Sequence, residues 1–151
     1  MRTGNASPAL DCRDYSTGDI MKGYHEDIEA ATERNNDFRR VLYTGHNLQL
    51  VVMSIPPGCD IGSEVHDDRD QFFRFEAGEG EVTVDDAIYR VKADDAVIVP
   101  QGARHNVRCT GEGPLKLYTI YGPPEHIDGT VHRTDEDARS SHEHFDGKTT
   151  E

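Results

Sequence analysis

From Phe38 to Tyr121 the sequence breaks into short apolar or alternating runs, separated by glycine, proline and aspartate. That punctuation leaves little room for long helices and sets a strand-and-turn rhythm. The spacing predicts nine strands: 41–44, 48–55, 64–66, 71–76, 81–84, 87–91, 96–99, 105–109 and 115–121. The breaks include Gly45-His46-Asn47, Pro56-Pro57-Gly58, Gly78-Glu79-Gly80 and Pro100-Gln101-Gly102. Many short strands at regular spacing, in under about a hundred residues, predict an all-β fold of the small double-sheet jelly-roll kind.

Within that frame, the stretch from Gly58 to Gly78 carries the chemistry. Glu64 and His66 stand two residues apart, so an extended backbone puts both side chains on one face. Gln71 follows across the polar turn Asp67-Asp68-Arg69-Asp70 and begins the run Gln71-Phe72-Phe73-Arg74-Phe75. His105 follows Pro100-Gln101-Gly102. One carboxylate, two imidazoles and an amide oxygen make a mixed nitrogen and oxygen shell suited to Fe(II), Mn(II), Ni(II) or Zn(II). The expected metal ligands are therefore Glu64, His66, Gln71 and His105. Alternation from Gln71 turns Phe73 and Phe75 inward, and alternation from His105 turns Val107 and Cys109 inward, leaving Asn106 and Arg108 outside. Cys109 reads as an inert buried filler, because no neighbouring base would activate it.

These residues resemble the two motifs of the cupin family, G-x5-H-x-H-x4-E-x6-G and G-x5-P-x-G-x2-H-x3-N. Gly58, His66 and Gly78 match the first at its spacings; Pro100, Gly102 and His105 match the second. Glu64 stands at the usual first histidine, Gln71 at the usual glutamate, Asp94 at the second motif's glycine and Cys109 at its asparagine. The segment between the motifs, residues 79 to 93, is as short as in small single-domain cupins. The resemblance implies a double-stranded β-helix or jelly-roll barrel (residues 35–125); the polar, unpatterned residues before it read as an N-terminal arm with a short helix (1–34) and those after it as an acidic C-terminal extension (126–151). The chain is similar to small cupins labelled mannose-6-phosphate isomerase-like. Three functions follow as expectations: a metal-dependent isomerase acting on a sugar or sugar phosphate, an Fe(II) dioxygenase, or a non-catalytic metabolite binder. No residue stands out as the isomerase's base.

Composition narrows the partners. Twenty-nine acidic against sixteen basic residues give a net charge of −13, which disfavours nucleic acid and anionic membranes. Twelve arginines against four lysines and the dispersed aspartates look like a salt-adapted or simply acidic protein. The three cysteines are odd in number and widely spaced, and the first residues carry no apolar signal core. Both point to a reducing, cytoplasmic setting. Phe72, on the outward face of its strand, suggests a homodimer contact. Arg74, Arg104 and Lys116 are the cations nearest the motifs, each expected on a solvated face. The pattern further predicts a helix over 25–34 and a second over 135–139 capped by Thr134. The segment from Pro123 to His132 is a candidate lid over the barrel mouth, and residues 140–151 read as a mobile acidic tail.

Overall fold

The computed structural model describes residues 21–151; Cys12 and most of the expected N-terminal arm lie outside the described residues. Helix α1 (Ile28–Arg34) comes first, then strands β1 (Arg39–Thr44), β2 (Gln49–Ile55), β3 (Glu64–Val65) and β4 (Asp70–Ala77). Next are β5 (Glu79–Val84), β6 (Ala87–Lys92), β7 (Ala96–Val99), β8 (Arg104–Cys109) and β9 (Leu115–Gly122). The short strand β10 (Val131–His132) and helix α2 (Asp135–Ser140) follow. All nine expected strands are present, with edges moved by at most two residues. A six-stranded antiparallel sheet runs β10-β1-β2-β9-β4-β7 and a four-stranded one runs β3-β8-β5-β6. The fold is the expected double-stranded β-helix.

The core lies between the inner faces of the two sheets. Phe73, Phe75, Val82, Val107, Cys109, Leu115 and Leu117 are fully buried there, where hydrophobic burial of each large side chain contributes about 1.5–3 kcal/mol. Val107 and Cys109 point inward as alternation requires, while Arg108 is exposed. The Cys109 thiol donates to the Gly113 carbonyl at 3.2 Å.

Turn chemistry sets the strand ends. Gly78 has φ +85°, and a Cβ there would collide with the Pro114 carbonyl, so the first motif's closing glycine is a steric necessity. Asp94, in the place of the second motif's glycine, keeps the left-handed backbone at φ 74°. Aspartate tolerates that region better than most residues, and its carboxylate is held by Arg74 at 3.0 Å.

Three features differ from the sequence expectation. Helix α1 starts at Ile28 rather than His25, because Asp27 is its N-cap and accepts from the Ala30 amide at 3.0 Å. Strand β10 was not expected; it pairs with the free edge of β1, with Arg39 opposite His132. Residues 140–151 do not trail away. The Phe145 amide donates to the Glu125 carbonyl at 2.8 Å and the Thr150 amide to the Thr44 carbonyl at 2.9 Å. These are backbone bonds, which leave no apolar pattern to read. Helix α2 has its Thr134 cap, with Asp137 completing a capping box. No helix among the described residues is long and apolar enough to cross a membrane.

Candidate metal centre

Strand pairing assembles the site. In the β3–β8 ladder Glu64 lies directly opposite His105, and His66 follows one residue past the end of β3. The connecting turns are tied together. The Gly102 amide donates to the His66 carbonyl at 2.8 Å, and the Gln101 amide to the Asp70 carboxylate at 2.8 Å. These bonds hold His66 against the second motif's turn.

Ligand atoms of Glu64, His66 and His105 all lie within 4.8 Å of one another. The Glu64 Oε2 is 3.5 Å from His66 Nε2 and 3.9 Å from His105 Nε2. His105 is 1% exposed, and its Nδ1 donates to the Ala103 carbonyl at 3.2 Å. That bond assigns the proton to Nδ1 and leaves Nε2 as a lone pair aimed at the other two residues, the arrangement usual for a metal-binding histidine. On its far side, His66 Nδ1 is 3.8 Å from Glu125.

The Nε2 atoms of both histidines are buried with no hydrogen-bond partner. Buried polar atoms are nearly always satisfied, so two orphaned imidazole nitrogens facing one carboxylate fit a cation-binding site. Gln71 carries a third orphan. It is 2% exposed on the inner face of β4, its amide nitrogen donates to Thr119 at 3.0 Å, and its Oε1 has no partner.

The electrostatics agree with that reading. Burial pushes the Glu64 carboxyl up, but the nearby His66 imidazole and the field of Arg39 outweigh it and leave it below the ordinary glutamate value. Burial also lowers His105, against the pull of the Ala103 bond and of Glu64, so it favours the neutral form. An anionic carboxylate beside a neutral imidazole is the protonation state a divalent cation needs.

A cavity of about 180 Å³ opens beside this cluster, walled by Arg39, Glu64, His66, Tyr121, Glu125 and His126, with Ala138 and residues 141–144 closing it. Of the segment expected as a lid, Glu125 and His126 wall the cavity while Val131 and His132 pair with the edge of β1, and residues 141–144 close the cavity further. Sequence reasoning missed four of these side chains. His126 is 6% exposed; its Nδ1 is 2.7 Å from Glu143 and its Nε2 is 3.3 Å from the Tyr121 hydroxyl. Burial drives the Tyr121 phenol far above its usual value, so it stays neutral. Glu125 pairs with Arg69 at 2.6 Å. Arg39 walls the cavity from β1. A histidine two residues past a double proline was the one sequence hint among them. Phe73 and Phe75 belong to the core. Arg74 pairs with Asp94, and Lys116 binds the Asn35 carbonyl at 2.9 Å near the end of α1. Arg104 is exposed.

The comparisons place this geometry in a family. The family model described as "Cupin domain" matches residues 51–121. The uncharacterized protein YrkC of Bacillus subtilis is 46% identical over 123 residues, covering 78% of this chain and 66% of its own length. The chain thus spans just under two thirds of that relative. The uncharacterized protein L612 of Acanthamoeba polyphaga mimivirus is 33% identical over 112 residues, covering 72% of this chain and 70% of its own. A crystal structure of a Bacillus halodurans protein superimposes with a TM-score of 0.77 at 46% identity, over 78% of this chain and 94% of that one. With the motif glycines at their required turns and Glu64 paired across the ladder to His105, this chain belongs to the cupin family.

Proposed function

We propose that this cupin holds one divalent transition metal through Glu64, His66 and His105, with the Gln71 amide oxygen as fourth donor. We propose that it acts there on a small metabolite with adjacent oxygens, such as a sugar or sugar phosphate, as an isomerase. The observation that carries the metal is the pair of orphaned acceptors His66 Nε2 and His105 Nε2, both buried, unpaired and grouped with Glu64; Gln71 Oε1 is likewise buried and unpaired. When bound, the metal would polarise a substrate carbonyl.

The rest falls to the chain's own groups. Glu143 accepts from His126 Nδ1–H and so orients the ring, leaving Nε2 beside the Tyr121 hydroxyl. Such an orienter–base pair is how a histidine is readied for proton transfer. In the reaction proposed, His126 takes the proton from the carbon next to the carbonyl, and that electron pair becomes the double bond of an enediol as the carbonyl oxygen gains a proton. The reverse sequence at the neighbouring carbon returns the proton, with no atom or electron gained or lost. The residues of the Pro123–His132 segment and of 141–144 limit water over the site.

Metal content of protein purified without an affinity tag tests the first half. About one equivalent of Fe, Mn, Ni or Zn is expected, lost in His66→Ala and His105→Ala. Solvent deuterium appearing at the carbon beside the carbonyl of an aldose phosphate tests the second; none in loaded protein defeats the isomerase. The two-histidine, one-carboxylate donor set also favours a second reading, an Fe(II) dioxygenase. Substrate-dependent oxygen uptake by the iron-loaded protein would select it, and tight ligand binding with neither activity would leave a non-catalytic binder.

A second copy of the chain is the proposed partner. On the outer face of the six-stranded sheet, Phe72 lies beside Ile98 and Ile120 in register and packs on Tyr118 at 6.3 Å between ring centroids. Ile98 is 66% exposed. Light scattering is expected to give a dimer, and a mass near 16.9 kDa at micromolar concentrations would remove it.

A further inference from the structure

Arg39 is buried, 6% exposed, yet it forms no ion pair among the described residues. Its Nε has no hydrogen-bond partner. Its one side-chain partner is His132 Nδ1 at 3.3 Å. Burial, followed by the neighbouring Arg39 charge, lowers His132, so that partner favours its neutral form and accepts from the guanidinium. The remaining contact is the Phe38 ring, 5.9 Å from the guanidinium carbon. A buried cation left without a counter-charge in contact is costly, and proteins almost always pair it.

The carboxylates around it touch other side chains, although the field of Arg39 reaches Glu64. Glu125 is held by Arg69 at 2.6 Å, and Glu143 by His126 at 2.7 Å. Glu64 faces the two histidines of the metal centre. Arg39 and Glu64 also wall a second cavity of about 210 Å³ on the other side, next to Ile61, Gly62 and Ser63. The unmatched guanidinium thus stands at the junction of two cavities, beside the metal-facing carboxylate.

We propose that Arg39 is the anion anchor of this site and that the ligand is a small organic acid. Its carboxylate would be gripped by the guanidinium fork while its neighbouring hydroxyl or carbonyl oxygen faces Glu64, His66 and His105. The inference rests on the metal reading for the placement of that second oxygen, and among small metabolites with adjacent oxygens it favours hydroxy or oxo acids over sugar phosphates. A planar fork matches the two oxygens of a carboxylate. A phosphate dianion asks for several donors or a helix N-terminus. In the first cavity Arg39 is the one arginine or lysine among the described wall residues, and Glu64, Glu125 and Glu143 line the other sides. A volume of about 180 Å³ is also below the range of about 300–1,000 Å³ of drug-sized pockets, which favours an acid of a few carbons.

Calorimetric titration of metal-free and metal-loaded protein with glycolate, glycolamide and inorganic phosphate tests this. Glycolate is expected to bind, and Arg39→Gln to weaken it about ten- to hundredfold, the usual worth of a hydrogen-bonded charge, with metal content unchanged. The neutral glycolamide is expected to bind at least about tenfold more weakly than glycolate. Should Arg39→Gln fail to fold, the unaltered protein still decides: the Arg39 Nε–H resonance shifts with glycolate and stays put with glycolamide. Equal affinity for acid and amide, phosphate binding tighter than glycolate, or an Arg39→Gln protein that binds glycolate normally would each overturn the proposal. Arg39-dependent glycolate binding in protein that never takes up metal would sustain the anchor while removing the metal reading.

Discussion

The two ends of the barrel interior are built from the same strands and do opposite things. Along β4 the inward residues run Gln71, Phe73, Phe75; along β8 they run His105, Val107, Cys109. Strand β9 runs the other way, from Leu115 and Leu117 to Thr119 and Tyr121, and β2 from Gln49 to Met53 and Ile55. Register brings the polar ends together, with Gln71 and Gln49 both opposite Tyr121 and Leu115 opposite Ile55. One end is therefore apolar and closes the core. The other buries polar atoms, some of them without partners. Hydrophobic burial stabilises the first end, and the second draws on that stability to hold buried donors and acceptors without partners.

The sharpest way to break this contrast is at the apolar end. Phe75→Ala is expected to cost about 3–5 kcal/mol of unfolding free energy, measured by urea denaturation, while the folded fraction still binds metal. If metal binding fell and stability did not, the two ends would have been assigned the wrong way round.

At the polar end the order of damage runs the other way. His66→Ala and His105→Ala are expected to abolish metal binding, Glu64→Gln to weaken it strongly, and Gln71→Ala to weaken it least, because the amide is a neutral donor. The stabilisation lost with the metal is about 2.7 kcal/mol at a hundredfold excess over the dissociation constant. Metal content and melting with and without added metal report both; full occupancy in the two histidine variants would remove the site.

The pH dependence of the metal-free protein probes the polar end without mutation. Burial depresses His105 and His132 in the folded state, so the unfolded chain binds more protons as the pH falls below about 6.5. Stability from these groups is present above that value and is lost on acidification. Glu64 and Glu143 are likewise lowered; burial opposes that shift in both, and the neighbouring histidines, His66 beside Glu64 and His126 bonded to Glu143, outweigh it. Their contribution goes in a second stage, below about 4.3. Two acid-side losses, in that order, are expected in melting curves. A single carboxylate stage would mean the buried histidines are not held neutral.

The smallest expected effect belongs to neither end. The net charge of −13 repels itself across the surface, and the screening length shortens from about 10 Å at 0.1 M salt to about 3 Å at 1 M. Melting temperature is expected to rise by a few degrees over that interval. A flat curve would assign the surface charge no part in stability.

The β4 and β8 share of the apolar end was legible in the sequence, because alternation over five or six residues states which side chains face in. The turns were legible too. The motif spacing located Gly78, Gly102 and even Asp94, since a left-handed backbone leaves few residue choices. Glu64, His66 and His105 could be named in advance, because an ordered motif puts them on facing strands.

What only the tertiary structure decided lies at the other end. Arg39 and Arg40 are adjacent and identical in type, and the one that turns inward is chosen by pairing with both β2 and β10. Strand β10 is two residues long, too short for any period. Glu125, His126 and Glu143 sit in stretches that read as polar loop and tail, and they become cavity walls because backbone hydrogen bonds fold those stretches back. Periodicity records which residues leave water for an apolar core. It is silent about polar groups brought together by chain return, because their partners are distant in sequence and their burial leaves no pattern along the chain.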